Sequence, residues 1–184
     1  MSIMGINFLN EIVNNSEEPR ANEILNELRD HLIKSLGQTG HRDEARDGME
    51  MALCVVDIEK HKIQFSGAFR PMYLISEGEL KVFRGDRMPI GIYNDEEVCF
   101  TNKEVPFKNN DIIYLFTDGY VDQIGGPHRK TFKSKQFKEL LKDIHQKPMK
   151  EQGEILREEH AIWGSGQEHI DDVMVLGVRL SFKQ

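Results

Sequence analysis

The sequence is short of cysteine: its 184 residues hold two, Cys54 and Cys99. Both sit in apolar, strand-like surroundings, so reduced, buried thiols are expected rather than a disulfide. No Cys/His spacing suggests a zinc site. Positive charge is also scarce. There are 24 Lys and Arg against 31 Asp and Glu, a formal net charge of -7. Such a surface repels nucleic acid and anionic membrane, so neither is an expected partner. A small anion would need a local cation, from a basic cluster or a metal. Long apolar runs are missing too. The stretch "MSIMGINFLNEIV" has neither a basic leader nor a membrane-length run, which argues for a cytoplasmic chain. No internal repeat or low-complexity linker is visible. What remains is 39% hydrophobic and 30% charged, the balance of a soluble globular protein, and the length suits one domain over residues 1–184.

Residues 2–14 place Ile3, Met4, Phe8, Ile12 and Val13 on one side, which predicts an amphipathic helix. Ser16, Glu17 and Glu18 then read as the cap and first turn of a second helix, running from about Pro19 to Leu36 and stopped by Gly37. From Met49 the period changes. "MEMALCVVDI" reads as a strand buried on both faces. "KIQFSGAF", "MYLISEGELKVF", with a turn at Glu77-Gly78, and "EVCFTNKEVPF" alternate as strands do. With "IIYLFTD" they predict an antiparallel meander of five or six strands. Two helices follow, "KSKQFKELLKDIHQ" and "KPMKEQGEILREEHAIWG", and then a last strand in "DDVMVLGVRLSF". Segregated helices and strands predict an α+β fold, a layered α-β-β-α sandwich of antiparallel sheets.

Acids stand at two strand ends. Asp118 follows "IIYLF", and Asp171-Asp172 precede "VMVLGV". If these strands are antiparallel neighbours, the end of one lies beside the start of the other and the three acids share one sheet edge. Clustered carboxylates repel unless a cation or a proton neutralises them. Hard oxygen donors suit magnesium or manganese. A lone strand-end Asp is more often a turn former or cap; the combination with "FTDG" favours chemistry.

"YLFTDGYVDQIGGP" and "HIDDVMVLGVRL" together resemble the metal-dependent protein Ser/Thr phosphatases (the PPM, protein phosphatase 2C-like family), in the bacterial SpoIIE/RsbU branch. "DGMEMALCVVDI", "KIQFSGAFRPMYLI" and "GDRMPIGIY" agree in order, so the likeness covers nearly the whole chain. It implies two divalent metals, manganese or magnesium, that activate a water for in-line attack on phosphoserine or phosphothreonine, with no protein nucleophile. By resemblance Asp118 and Asp171 are metal ligands, Asp122 touches a third and weaker metal, and Gly119 and Asp172 support them. The resemblance also implies a phosphorylated regulatory protein of the anti-sigma-factor-antagonist type as substrate. The basic run after Gly-Gly-Pro, with Arg129, Lys130 and Lys133, is then a substrate flap; read without the resemblance it is the solvated face of a helix.

One departure is expected to matter. The family's early Asp-containing strand turn has no counterpart, since Asp30, Asp43 and Asp47 lie on a helix face or in a polar loop. The chain is therefore expected to be the C-terminal portion of such a phosphatase domain, incomplete because the N-terminal strands are missing, with part of the metal site absent. The alternative function is a catalytically impaired fragment or pseudophosphatase acting as a protein-binding module. Missing strands would leave an exposed sheet edge and apolar surface, so self-association through that edge or through helices is also expected.

Overall fold

The computed structural model describes residues 2–39, 48–93, 98–168 and 171–182. Asp43, Asp47 and His169 lie outside the described residues. The chain divides into two compact units, Met1–Pro71 with Phe83–Pro106, and Met72–Val82 with Phe107–Gln184.

The first unit opens with α1 (Ser2–Asn15) and α2 (Ala21–Leu36). The expected apolar stripe of α1 holds at Met4, Phe8 and Ile12, which pack into the core. It fails at Ile3 and Val13, which are exposed. The cap expected at Ser16 is also corrected: α2 starts after Arg20, with no side-chain cap. Pro19 is the physical reason, because a residue before proline is driven out of the helical region. Gly37 ends α2 as expected, at φ 60°, and its N–H takes the Lys34 carbonyl.

Strands β1 (Met51–Asp57), β2 (Lys62–Ala68) and β5 (Lys103–Pro106) form an antiparallel sheet in the order β1-β2-β5. β1 was expected to be buried on both faces. It is an edge strand and every residue in it is half-buried. The strand expected over "EVCFTNKEVPF" shrinks to β5. Thr101 N–H and Oγ1 both bond the Asp86 carboxylate, 2.8 and 3.0 Å away, so that backbone is held by a side chain and not by a ladder. Arg70 pairs with Glu50.

The second unit carries the candidate site. Its sheet has the order β4-β3-β6-β9, from β3 (Met72–Ser76), β4 (Glu79–Phe83), β6 (Ile112–Phe116) and β9 (Val175–Arg179). The simple meander is thus corrected: β5 leaves this sheet's run of strands and pairs with β2. The β3–β4 turn falls at Glu77 and Gly78, both at positive φ (51° and 81°), as a two-residue hairpin turn requires. A short hairpin, β7 (Ile124–Gly125) with β8 (Lys130–Thr131), precedes α4 (Lys133–Ile144) and α5 (Met149–Trp163). Phe137, Leu141, Ile144 and Leu156 of these helices form one core with Tyr73, Tyr114 and Phe116 of the sheet. A buried polar bridge joins α5 to the sheet: Tyr114 donates its hydroxyl to Gln152 Oε1 at 2.6 Å. The architecture is α+β with antiparallel sheets, as expected.

Candidate metal centre

The register of β6 and β9 builds the site. The two strands are antiparallel, with Phe116 opposite Val175. The chain therefore leaves β6 where it enters β9, and residues 117–119 meet residues 171–174 at one end of the sheet. Thr117 fastens the junction. Its N–H donates to the Met174 carbonyl at 3.1 Å, and its hydroxyl donates to the Asp172 carbonyl at 2.7 Å and accepts from Met174 N–H at 2.9 Å.

Gly119 then lies against the acidic turn. A Cβ there would sit 2.5 Å from the Asp172 carbonyl oxygen and 3.1 Å from that of Asp171. Only glycine allows this approach. The sequence does not foretell the next feature: residues Gly119–Asp122 form a single helical turn, α3. Asp122 N–H donates to the Asp118 carbonyl at 2.8 Å, so the two acids stand one turn apart on the same side. Asp118 precedes this turn but makes no side-chain cap bond to it. Asp118 is half-buried; Asp122, Asp171 and Asp172 are exposed. One Asp171 oxygen, Oδ1, already accepts the Asp172 N–H at 2.7 Å.

Three residues that sequence reasoning did not assign to the site hold this arrangement. Thr117 is one, visible only as the letter before Asp-Gly. Gln123 is fully covered, and its Nε2 donates to the carbonyls of Ile124 (3.0 Å) and Glu168 (3.2 Å), which ties the approach to Asp171 back to the residue after Asp122. Trp163 donates Nε1–H to the Gln123 carbonyl at 3.0 Å, and its own carbonyl accepts Gly126 N–H at 2.9 Å. The β7–β8 hairpin is therefore pinned to the end of α5. A Cβ on Gly125 would overlap the Trp163 carbonyl. Arg129 on this hairpin donates to Gln167 Oε1 at 2.9 Å, while Lys130 and Lys133 are exposed. Beside the acidic turn lies a cleft of about 640 Å³ with Tyr120, Leu156, His160 and Val175 in its walls and Asp171 at its rim.

The donor set is right in kind for a hard divalent cation and short in number. Among the described residues no three His, Cys, Asp or Glu side chains come together to hold a metal. The β6–β9 register brings residues 118 and 171 to the same end of the sheet, and the missing Cβ of Gly119 lets the Asp171–Asp172 main chain lie close. The residues fit as part of a carboxylate cradle.

The family model for stage II sporulation protein E (SpoIIE) matches residues 1–181. The chain belongs to the SpoIIE family. A comparison with curated proteins found no match. Among solved structures, the SiaA-PP2C domain of Pseudomonas aeruginosa is 26% identical at a TM-score of 0.86, over 97% of this chain and 68% of that one. The PP2C phosphatase domain of SpoIIE from Bacillus subtilis, solved with a fragment of its regulatory domain, is 19% identical at 0.75, over 97% and 49%. This SpoIIE-family chain thus spans about two thirds of the first structure and half of the second. The catalytic domain of the serine/threonine protein phosphatase PstP, solved with two manganese ions, is 17% identical at 0.62, over 95% and 77%. These neighbours are described as PP2C or protein phosphatase domains, PstP as a serine/threonine protein phosphatase, and the mixed α+β fold is shared with them. Among the described residues no helix is long and apolar enough to cross a membrane.

Proposed function

We propose that this SpoIIE-family chain is a metal-dependent phosphatase unit acting on phosphoserine or phosphothreonine of a cytoplasmic regulatory protein, of the anti-sigma-factor-antagonist type. One observation carries the reading: the β6–β9 register sets Asp118 beside Asp171-Asp172, with Gly119 against their backbone. In this reading Asp118 and Asp171 hold manganese or magnesium, Asp122 adds a weaker contact, and Asp172 supports through its backbone. Bound divalent cations supply an activated water and screen the phosphate charge. The chain's own share is positional. Thr117 fixes the two carboxylates relative to each other, and Gly119 admits the close backbone. Arg129, Lys130 and Lys133 offer positive charge to an acidic phosphoprotein on a chain whose net charge would otherwise repel it.

The test is turnover of p-nitrophenyl phosphate and of a phosphoserine peptide with manganese, in the chain and in Asp118→Asn. Manganese-dependent turnover that disappears in the variant is the expected result. Absence of turnover in both would remove the proposal for this chain. A second reading, a catalytically impaired unit that binds a phosphoprotein without turnover, is favoured by the lack of a third ligand among the described residues. Peptide binding without turnover would support it.

A further inference from the structure

The β7–β8 hairpin closes through the turn Gly126-Pro127-His128-Arg129, in which Arg129 N–H donates to the Gly126 carbonyl at 3.2 Å. Proline suits the second place of such a turn, and glycine suits the last. Here the last place is arginine, at φ 47°. A residue with a side chain stores strain in the left-handed region, and such residues gather at ligand clamps and switches. The exposed guanidinium donates from Nη2 to a neutral amide oxygen, Gln167 Oε1, at 2.9 Å. That bond is not what holds the hairpin. Gly126 N–H on the Trp163 carbonyl, and Trp163 Nε1–H and Phe132 N–H on the Gln123 carbonyl, fasten it without the Arg129 side chain. The acceptor is fixed as well. Gln167 N–H donates to the Gly164 carbonyl at 2.9 Å, and the carbonyl of the next residue, Glu168, accepts from Gln123 Nε2 at 3.2 Å. A cation on a strained backbone is held against a fixed, neutral acceptor, in a chain whose net charge is -7.

We propose that Arg129 is the residue of this hairpin that reads a phosphate monoester, and that Gln167 holds its guanidinium in the free chain until the phosphate takes its place. A guanidinium sets two parallel N–H donors onto two phosphate oxygens, whereas the Gln167 amide offers one neutral oxygen. The dianion adds a Coulomb attraction that an amide lacks. Lys130 and Lys133 are point charges without that fork; they draw the ligand in without fixing it. The exchange is easy because the bond given up is solvent-exposed and favours the latched arrangement by only a small factor. The phosphate belongs to a phosphorylated side chain of a protein. The proposal takes its ligand from the phosphoprotein reading above, but it needs neither metal nor turnover.

The test is fluorescence anisotropy of a labelled phosphoserine peptide and of its unphosphorylated twin, titrated with the chain in metal-free buffer. Trp163 emission is read alongside with unlabelled peptide, because a Cβ on Gly126, at the start of the same turn, would lie 2.7 Å from the indole ring. The intact chain is compared with Arg129→Gly, Arg129→Lys and Gln167→Ala. The expected result is phosphate-dependent binding, weakened about tenfold in Arg129→Gly and nearly as much in Arg129→Lys, which keeps the charge and loses the fork. Gln167→Ala should tighten binding about two- to fivefold, since no bond has to be given up. Glycine adopts φ 47° without strain, so Arg129→Gly should melt no lower than the intact chain. Should it melt lower, Arg129→Lys decides. Equal binding of the two peptides overturns the proposal. So does equal affinity in the intact chain and both Arg129 variants, affinity unchanged or weakened in Gln167→Ala, or inorganic phosphate that binds more tightly than the peptide. Peptide binding that depends on Arg129 without manganese-dependent turnover would leave this proposal standing and remove the phosphatase reading; turnover with binding indifferent to Arg129 would do the reverse.

Discussion

Thr117→Val tests the junction most directly, because valine keeps the shape and removes only the hydroxyl. Two hydrogen bonds disappear: the one to the Asp172 carbonyl at 2.7 Å and the one from Met174 N–H at 2.9 Å. A neutral hydrogen bond contributes a net ~0.5–1.5 kcal/mol. Asp172 and Met174 are exposed, so water replaces part of the loss, and about 1–2 kcal/mol of stability is expected to go. The local consequence is larger than the global one. Without the hydroxyl, residues 171–174 are held to this strand end by Thr117 N–H and the β6–β9 ladder alone, and Asp171 drifts from Asp118. A displacement of 1 Å at a reacting centre costs on the order of 100-fold in rate. The assay pairs a urea melt with manganese titration of p-nitrophenyl phosphate turnover. Thr117→Ser, which restores the hydroxyl, should recover most of both. A valine variant with wild-type manganese dependence and wild-type stability would refute the argument that Thr117 sets the spacing of the acids.

Four further outcomes follow from the same geometry. Gly119→Ala should lower stability by about 1–3 kcal/mol, because its Cβ meets main-chain oxygen and not a side chain that can swing away, and manganese-dependent turnover should fall with it. Gly125→Ala should shift the fluorescence of the single tryptophan, Trp163, as the hairpin is pushed off the end of α5; an unchanged spectrum and melting point would show that the hairpin is not pinned there. Burial pushes the Tyr114 hydroxyl up to about 12 from 10, so unfolding it releases a proton between those values. The contribution is fully present below pH 10 and lost as pH rises toward 12; urea melts across that window should show a shallower alkaline loss in Tyr114→Phe. Burial also pushes the Cys54 thiol up to about 12, whereas Cys99 is exposed, so a thiol reagent at neutral pH should titrate one fast cysteine and reach the second only on unfolding.

Periodicity carried most of the fold. α2, α4, α5 and β6 fall where their apolar spacing sets them, because each presents one face, or both, to a core. It failed where burial and pattern part company. "MALCVVD" is as apolar as a buried strand, yet β1 is an edge; a run of valines says what a strand tolerates, not how many neighbours it has. Cys99 was expected to be buried for the same reason and is exposed. The switch of β5 to a different sheet from β4 and β6 left no local trace, since it depends on pairings between residues far apart in sequence. At the site, the acids were legible because Asp171-Asp172 before one apolar strand came together with "FTDG" after another; a lone strand-end Asp would have read as a turn former. The residues that place them were not. Thr117 and Gln123 act through main-chain carbonyls about 45 to 55 residues away, Glu168 and Asp172, and nothing in their immediate neighbours announces it.

Sheet register also brings two acidic pairs that are far apart in sequence to one end of a sheet. In an antiparallel pair, the end of one strand is the beginning of the other, so a carboxylate after β6 and a carboxylate before β9 meet by topology, without a dedicated loop. The cost is repulsion between like charges at one sheet end. Here it is lowered by partial exposure and by the Asp172 N–H donated to Asp171, which uses one of that side chain's oxygens. In the proposed reading a divalent cation competes with a backbone hydrogen bond at Asp171 and with solvent at Asp122. Two carboxylate ligands would, in that reading, give modest affinity by the ligand count that governs hard cations. The chain is accordingly expected to show manganese dependence with a weak apparent affinity, and Asp171→Asn should weaken it more than Asp122→Asn does. Calorimetric titration of manganese into the two variants decides it: equal losses would mean that Asp122, one helical turn from Asp118, carries as much of the cation as the strand-end pair.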